Sequence, residues 1–126
     1  PYFSAPSGGP MVQHSLVAMF EMSSKSIITA EKVVQKMCHA PAELFNIKNR
    51  GYIREGYYAD LVLIDPDQEW IVSSENIMYK CGWSPFNGQI FSHKIVSTFL
   101  NGRKVFSEGE FNETVKGSRI YFNNPV

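Results

Sequence analysis

Two carboxylates stand at the ends of the most apolar short stretch of the sequence. Asp60 and Asp65 enclose Leu-Val-Leu-Ile near the middle of a 126-residue chain. Paired carboxylates can act as general acid and general base when both face one substrate. A spacing of five residues instead places them on opposite faces of a strand, because side chains alternate along it. We therefore interpret Asp60 and Asp65 as residues that bound a buried strand, and not as a catalytic pair.

The three histidines give no metal-ligand pattern. His14, His39 and His93 are far apart, and none belongs to an HxH or HExxH motif. A zinc site needs clustered His, Cys, Asp or Glu ligands. We expect structural or solvent-facing roles for all three, with His14 facing solvent; its alternative role is to help orient a ligand. The sequence thus predicts no metal ligands in this chain.

A glycine-containing loop is the candidate for binding. Ser7, Gly8 and Gly9 precede Pro10, which suits the first turn of a helix because its missing N–H is not needed there. Backbone N–H groups at such a helix start can bind a carboxylate or a phosphate. A plain tight turn is the alternative reading of the same residues.

Helical periodicity dominates the first 50 residues. Apolar residues recur with helical spacing over residues 11–22. Thr29 is a candidate N-cap for a second helix, and Pro41 can begin a short third helix over residues 42–45. The predicted apolar faces are Val12, Leu16, Met19 and Phe20 in the first helix, and Ala30, Val33, Val34, Met37 and Cys38 in the second.

Strand patterns dominate after Gly51. Asn101-Gly102 is a strong signal for a two-residue hairpin turn. Helices followed by strands indicate an α+β chain. The predicted strands are residues 59–64, 70–72, 94–100, 103–107 and 118–122, with a long irregular segment at 73–92.

Composition excludes several classes of function. Lys plus Arg and Asp plus Glu number 12 each, so no net charge attracts nucleic acid or an anionic membrane. No apolar run reaches membrane-spanning length, and no signal pattern opens the chain. Two cysteines without CxxC spacing favour a reducing, cytoplasmic location. The chain opens without an initiator Met, as we expect of a fragment.

Several motifs together resemble the amidohydrolase superfamily. Residues 51–65 resemble its G-x-I-x-x-G-x-x-A-D-L-V-x-x-D segment, residues 39–45 its N-P-A element, and residues 98–105 its T-x-x-N-G-x-x-V hairpin. The order and spacing of all three match. Residues 80–88 resemble the C-x-W-S-P-F-x-G signature of dihydroorotases, and residues 5–10 resemble the loop after their last barrel strand. The chain is similar to the C-terminal portion of a dihydroorotase.

The resemblance implies a fold and an activity for a larger parent protein. Residues 1–50 would be the last helices of a TIM-type (β/α)8 barrel, and residues 51–126 the C-terminal strands of a small β-sandwich with a tail. The parent would be a zinc-dependent hydrolase of pyrimidine biosynthesis that interconverts N-carbamoyl-aspartate and dihydroorotate. Zinc would polarise the amide carbonyl and activate water, while an aspartate moves the proton.

The resemblance leaves this chain with a limited role. The metal ligands and the catalytic aspartate of the family lie upstream, so the chain alone is expected to bind no zinc and to be inactive. Backbone atoms of Ser7 and Gly8 would contact the substrate. Gln13 stands where many relatives have an acid, and Ala40 where they have the asparagine of N-P-A. We expect the chain to associate with the upstream barrel or with itself.

Two alternatives remain open from the sequence. The runner-up for the parent is another cyclic amidohydrolase, such as an allantoinase or a hydantoinase, although residues 80–88 tell against a hydantoinase and less clearly against an allantoinase. A reading from a different class is a non-catalytic β-rich interaction module. Its contact surface would be formed by exposed aromatic residues, namely Tyr57, Tyr58, Trp83 and Phe86.

Overall fold

The computed structural model describes residues 2–4 and 8–123, in which helices precede strands as predicted. A 3-10 turn at Tyr2–Ser4 is followed by a helical half and then by six short strands. The helical half comprises α1 (Ser15–Ser24), α2 (Ala30–Val34), a π-helical turn (Gln35–His39) and α3 (Ala40–Leu44). The strands are β1 (Leu61–Asp65), β2 (Trp70–Ile71), β3 (Ile90–Phe91), β4 (Lys94–Leu100), β5 (Arg103–Ser107) and β6 (Glu110–Phe111).

The first helix begins later than predicted and buries a different face. The amides of His14 and Ser15 both donate to the carbonyl of Met11, so residues 11–14 form a turn before α1. Val12, predicted on the apolar face, is 93% exposed, whereas Val17 is 1% exposed. The prediction was wrong because it assigned the polar His14 to solvent, and His14 in fact begins the buried face.

The second and third predicted helices form one continuous helical run. Thr29 is the N-cap as predicted, since its hydroxyl accepts a hydrogen bond from the amide of Lys32 at 3.2 Å. A proline inside a helix lacks an N–H and crowds the carbonyl four residues earlier. The π-helical turn stands just before Pro41, and there the amide of Ala40 bonds to the carbonyl of Gln35, five residues back. This wider turn accommodates the proline within the run.

Four strands form an antiparallel sheet in the order β1-β4-β5-β6. The hairpin between β4 and β5 turns at Asn101-Gly102 as predicted, with φ of 51° and 77°, as a primed turn requires. Strand β1 begins two residues later than predicted. The carboxylate of Asp60 accepts from the amide of Asn101, so this residue holds the hairpin turn and does not join the ladder.

A second, two-stranded ladder pairs β2 with β3 and lies in the core. Val17, Val72 and Phe91 form the buried cluster, with Trp70 and Phe86 packed against it. The ladder places α1 against residues from the strand half of the chain. The core therefore draws on both sides of the division at residue 50.

The predicted last strand over residues 118–122 is not a strand. The hydroxyl of Ser118 accepts hydrogen bonds from the side chains of Arg50 and Asn101. The amide of Lys48 donates to the carbonyl of Tyr121. Phe122 makes an isolated bridge with Ile47. This segment is therefore bound to residues 46–50 by single contacts and does not pair with a strand of the sheet.

None of the helices in the described part of the chain has the length and apolar character needed to cross a membrane.

The close packing of Gly51 against the helical run generates a stability prediction. Gly51 has φ of +81°, and an added Cβ would lie 2.4 Å from the Cβ of Ala42 and 2.8 Å from the carbonyl oxygen of Cys38. Left-handed strain costs about 1–2 kcal/mol and overpacking about 1–3 kcal/mol. We expect Gly51→Ala to lower the free energy of unfolding by about 2–5 kcal/mol.

Gly56 supplies the matched control for this prediction. Its φ is +80°, but an added Cβ meets nothing within 4 Å. Gly56→Ala should therefore cost only the strain, about 1–2 kcal/mol. Urea unfolding of the full-length protein, followed by circular dichroism, measures both variants, and equal losses would contradict the packing argument.

Candidate functional site

The predicted binding loop is only partly described. Ser7 lies outside the described residues. Gly8 is exposed and has φ of +75°, a backbone conformation that side chains rarely adopt. An added Cβ at Gly8 would meet nothing within 4 Å. The structure thus gives a conformational reason for glycine at this position, and the contact with substrate stays a prediction.

His14, five residues after this loop, is fully buried, so the prediction that it faces solvent was wrong. Its exposed fraction is 0%. The imidazole stacks on Trp70 and Phe91, with ring centroids 5.8 and 6.4 Å away. The rings of Tyr79 and Phe86 meet it edge-on at 6.0 and 5.9 Å. We call these five residues the His14 box.

One hydrogen bond serves the imidazole inside this box. The hydroxyl of Ser84 lies 3.3 Å from Nδ1 of His14 and also accepts a bond from the amide of Phe86 at 3.1 Å. Nε2 of His14 and the hydroxyl of Tyr79 are buried without a hydrogen-bond partner among the described residues. Burial lowers the pKa of His14 below its ordinary value, because the charged ring would lose its hydration.

Gln13 fastens the residues next to this box. Its amide nitrogen donates to the carbonyl of Asn76 at 2.8 Å, and its amide oxygen accepts from the amide of Met78 at 2.9 Å. A carboxylate at this position would lack the donor that reaches Asn76. The departure from the acid seen in the resembling motif therefore has a structural use in this chain.

The segment at residues 80–88 supplies one wall of the His14 box. Ser84 is buried and Phe86 packs against the core, whereas Trp83 is 54% exposed. Gly88 has φ of +81°, and its amide donates to the carbonyl of Val72. Ser84, Phe86 and Gly88 thus position this segment against the start of α1 and the end of β2.

The aromatic residues expected at the surface divide into two groups. Trp83 and Tyr58 are exposed as predicted, at 54% and 41%. Phe86 and Tyr57 are half-buried, which corrects the prediction for both. Phe86 packs on Phe91 in the core, and the guanidinium of Arg54 lies 5.8 Å from the ring centre of Tyr57.

Asp60 and Asp65 have separate structural roles, as the sequence interpretation expects, but the strand between them is not buried, since Val62 and Leu63 are 42% and 52% exposed. Asp60 pairs with Arg50 and accepts from the amide of Asn101. Arg50 also donates to the side chains of Asn101 and Ser118, so one guanidinium joins four segments. Asp65 accepts from the amide of Asp67 and closes the turn after β1.

The depressions of the described surface include one beside α3 and one between α1 and α2. One of about 290 Å³ lies beside α3, where Tyr52 donates a hydrogen bond to Glu43 and stacks on His39 at 4.1 Å. The bond to Glu43 raises the pKa of the Tyr52 phenol. A larger depression of about 600 Å³ lies between α1 and α2 and lacks histidine and cysteine. Neither adjoins Gly8 or the His14 box.

A carboxylate anchors α1 on β3. Glu21 accepts from both the amide and the hydroxyl of Ser92, at 3.1 and 2.9 Å, and pairs with Lys25 at 3.4 Å. These bonds, with the backbone amide of Ser92 first, hold the pKa of Glu21 below its ordinary value. Glu21 therefore has a structural role in holding α1 against the end of β3.

The described residues contain no group of three or more His, Cys, Asp or Glu side chains that would hold a metal ion. Cys38 and Cys81 are both free and exposed. A zinc centre does not fit the part of the chain that the structure describes.

The chain is similar in sequence to a known protein family and to several dihydroorotases. The model of the Amidohydrolase family matches residues 9–105. Dihydroorotases from Pyrococcus horikoshii and Clostridium acetobutylicum are 33% identical to the chain over 114 and 105 residues, which are 90% and 82% of this chain. The same matches cover 27% and 24% of those proteins, so the chain spans about a quarter of their length.

Solved structures show a similar fold. An L-hydantoinase (dihydropyrimidinase) from Arthrobacter aurescens superimposes with a TM-score of 0.78 at 28% identity, over 88% of this chain and 25% of that one. A D-hydantoinase superimposes with a TM-score of 0.79 at 23% identity, over 87% of this chain and 24% of that one.

The conformation of Gly8 generates a prediction for the binding loop. In the full-length protein, Gly8→Val should raise KM by about tenfold or more, because a β-branched residue resists positive φ by more than about 1 kcal/mol. Ser7→Ala should leave KM nearly unchanged if the backbone makes the contact. Steady-state kinetics measures both, and equal effects would show that the loop does not bind substrate through its backbone.

Proposed function

Because the chain belongs to the amidohydrolase family, we propose that it is part of a dihydroorotase-type cyclic amidohydrolase. The parent enzyme then interconverts N-carbamoyl-aspartate and dihydroorotate in pyrimidine biosynthesis. The observation that carries the proposal is the 33% identity to a dihydroorotase over 90% of this chain. The motif at residues 80–88 supports the same choice.

The proposed role of this chain is positional. The glycine loop offers backbone N–H donors to the substrate, and it leads into the turn that Gln13 and His14 fix. Since the described residues offer no metal-ligand cluster, the zinc of the proposed enzyme is held by residues outside them. We propose that residues 1–50 end the barrel and residues 51–126 belong to the sandwich and tail.

A hydantoinase is the second candidate. The observation that favours it is the superposition with the L-hydantoinase (dihydropyrimidinase), at 28% identity and a TM-score of 0.78. Both candidates open a cyclic amide, and they differ in the ring substituent: dihydroorotate carries a carboxylate that simple hydantoins and dihydrouracil lack. A substrate panel therefore separates them.

The full-length protein should prefer dihydroorotate. A site built to bind a polar substituent rejects analogues that lack it by large factors, because its own polar groups are then left unpaired. We expect kcat/KM for dihydroorotate to exceed that for hydantoin, dihydrouracil and allantoin by about a hundredfold or more. A preference for hydantoin or dihydrouracil would transfer the assignment to the second candidate.

The surface of the chain supports a partner for its apolar faces. Its accessible surface is 9461 Å² at a mass of 14.3 kDa, whereas a compact monomer of this mass exposes about 6,800 Å². Large apolar side chains are exposed on helices, strands and loops alike, including Leu44 at 75%, Leu63 at 52% and Ile53 at 90%. We propose that the upstream barrel covers them, and that the parent is cytoplasmic.

The isolated chain should therefore associate and lack activity. Each exposed large apolar side chain forgoes about 1.5–3 kcal/mol of burial. We expect residues 1–126 alone to sediment as oligomers or aggregates, to recover solubility on co-expression with the upstream half, and to open no dihydroorotate ring. Sedimentation velocity and a ring-opening assay measure this, and a stable inactive monomer would favour the interaction module.

A further inference from the structure

Residues 73–88 form a loop that leaves the core and returns to the same place. At its base the amide of Val72 donates to the carbonyl of Gln89, and the amide of Gly88 donates to the carbonyl of Val72. The β2–β3 ladder continues this pairing. We call residues 73–88 the strap, because its base is fixed while its body lies against the start of α1.

Two consecutive residues hold the body of the strap. Gln13 bonds to the backbone of Asn76 and Met78 near its start. His14 bonds to Ser84 further along, and its ring contacts Tyr79 within the strap. The polar side-chain contacts that the structure shows between the strap and α1 with its preceding turn thus come from Gln13 and His14.

The groups that face the His14 ring contain no counter-charge. The strap contributes the rings of Tyr79 and Phe86, and the ladder contributes Trp70 and Phe91. Among the described residues, none of these contacting rings carries a negative charge that could pair with an imidazolium. Glu21 of α1 bonds to Ser92 and pairs with Lys25. On the β3 side, the imidazole of His93 bonds to Ser92.

Protonation would therefore disrupt the bond that joins His14 to the strap. We assign to the neutral ring the tautomer in which Nδ1 accepts from the Ser84 hydroxyl, which itself accepts from the amide of Phe86. A protonated Nδ1 becomes a donor, so the Ser84 hydrogen must turn away within a buried site. Nε2–H would at the same time be a charged donor without a partner among the described residues.

Stacking does not offset this loss. Trp70 and Phe91 present their faces to the ring, and such cation–π contacts contribute about 0.5–2 kcal/mol. An unpaired charge buried in an apolar environment costs more than that. Release of the strap would hydrate the imidazolium, since Tyr79 and Phe86 would leave the box and Ser84 would move away with them.

We propose that His14 is a pH-sensitive latch whose protonation releases the strap, residues 73–88, from the first turn of α1. The proposal does not rest on the reaction of the parent enzyme. It assigns the neutral ring to the closed strap and the charged ring to the open strap.

The direction of the pH effect follows from burial. The pKa of His14 is lowered in the closed state, whereas the ordinary value of about 6.5 applies when the strap is open. The closed state is therefore fully favoured above pH of about 6.5, and its advantage falls as the pH drops from there toward the lowered pKa. Each pH unit in this window raises the population of the open strap by up to about tenfold.

Hydrogen exchange in the full-length protein tests the latch. We expect peptides within the strap to exchange up to about tenfold faster at pH 5.5 than at pH 7.5, after correction for the intrinsic effect of pH. Peptides from β4 and β5, which contain no histidine, should keep a ratio near one. A wild-type strap whose corrected exchange is the same at both pH values overturns the proposal.

Variants at three positions identify the responsible group. His14→Phe retains a flat ring and cannot titrate, so the strap should lose its acid response. The matched control is His39→Gln, because His39 stacks on Tyr52 away from the strap, and this variant should keep the full response. Gln13→Ala removes the two other bonds and should speed exchange at both pH values while keeping the ratio.

The outcomes remain decisive if one variant fails to fold. His14→Gln is a second non-titrating substitution, and an acid response that persists in either variant overturns the latch. If neither folds, a wild-type response confined to the strap and unchanged in His39→Gln supports it. A response spread over the whole protein, or one lost in His39→Gln, overturns it.

Discussion

A neutral imidazole enclosed by four aromatic rings is the constraint on which the first half of this fold depends. His14 lies where the glycine loop turns into α1, and its ring is shared by the helix start, the β2–β3 ladder and the strap. Removal of the ring would open a cavity beside Val17 and Phe91, in a core with few other buried side chains. Together with the bonds of Gln13 to Asn76 and Met78, this enclosure fixes the turn that follows the glycine loop.

The second half depends on a charged group in a comparable way. Arg50 is bonded to Asp60, Asn101 and Ser118, so one side chain ties the segment after α3 to the hairpin turn and the tail. Its side chain is only 11% exposed, so the carboxylate of Asp60 must stay with it. A buried charge without its partner costs several kcal/mol, on the order of 3–5. In this chain, polar and aromatic contacts position segments that an apolar core positions in larger domains.

The sequence predicted regular elements well because their signals are local. The Thr29 cap, the Asn101-Gly102 turn and the strand over residues 94–100 each depend on neighbouring residues, and each is confirmed. Period counting identified the presence of α1 but assigned it the wrong buried face, since a histidine counts as polar. Only the arrangement of Trp70 and Phe91, distant in sequence, makes that site apolar.

The candidate site shows the same division between local and distant information. Positive φ at Gly8 is a local property that a glycine before a helix already suggests. The clamp of Gln13 on Asn76 and Met78 joins residues more than 60 positions apart, and no spacing rule anticipates it. The sequence feature that could have indicated this clamp is Gln13 itself, which stands where the resembling motif has an acid. An amide offers one donor group and one acceptor, whereas a carboxylate offers two acceptors.

The distribution of apolar side chains links the two halves to the proposed parent. The His14 box and the bonds of Arg50 hold the segments of the chain to one another, while Leu44, Ile53 and Leu63 remain exposed. Apolar faces left free in this way favour association with further structure. A chain that spans about a quarter of its dihydroorotase relatives has this distribution if the remaining three quarters supply the cover. The glycine loop can then keep its conformation while the exposed apolar side chains pack against the rest of the parent protein.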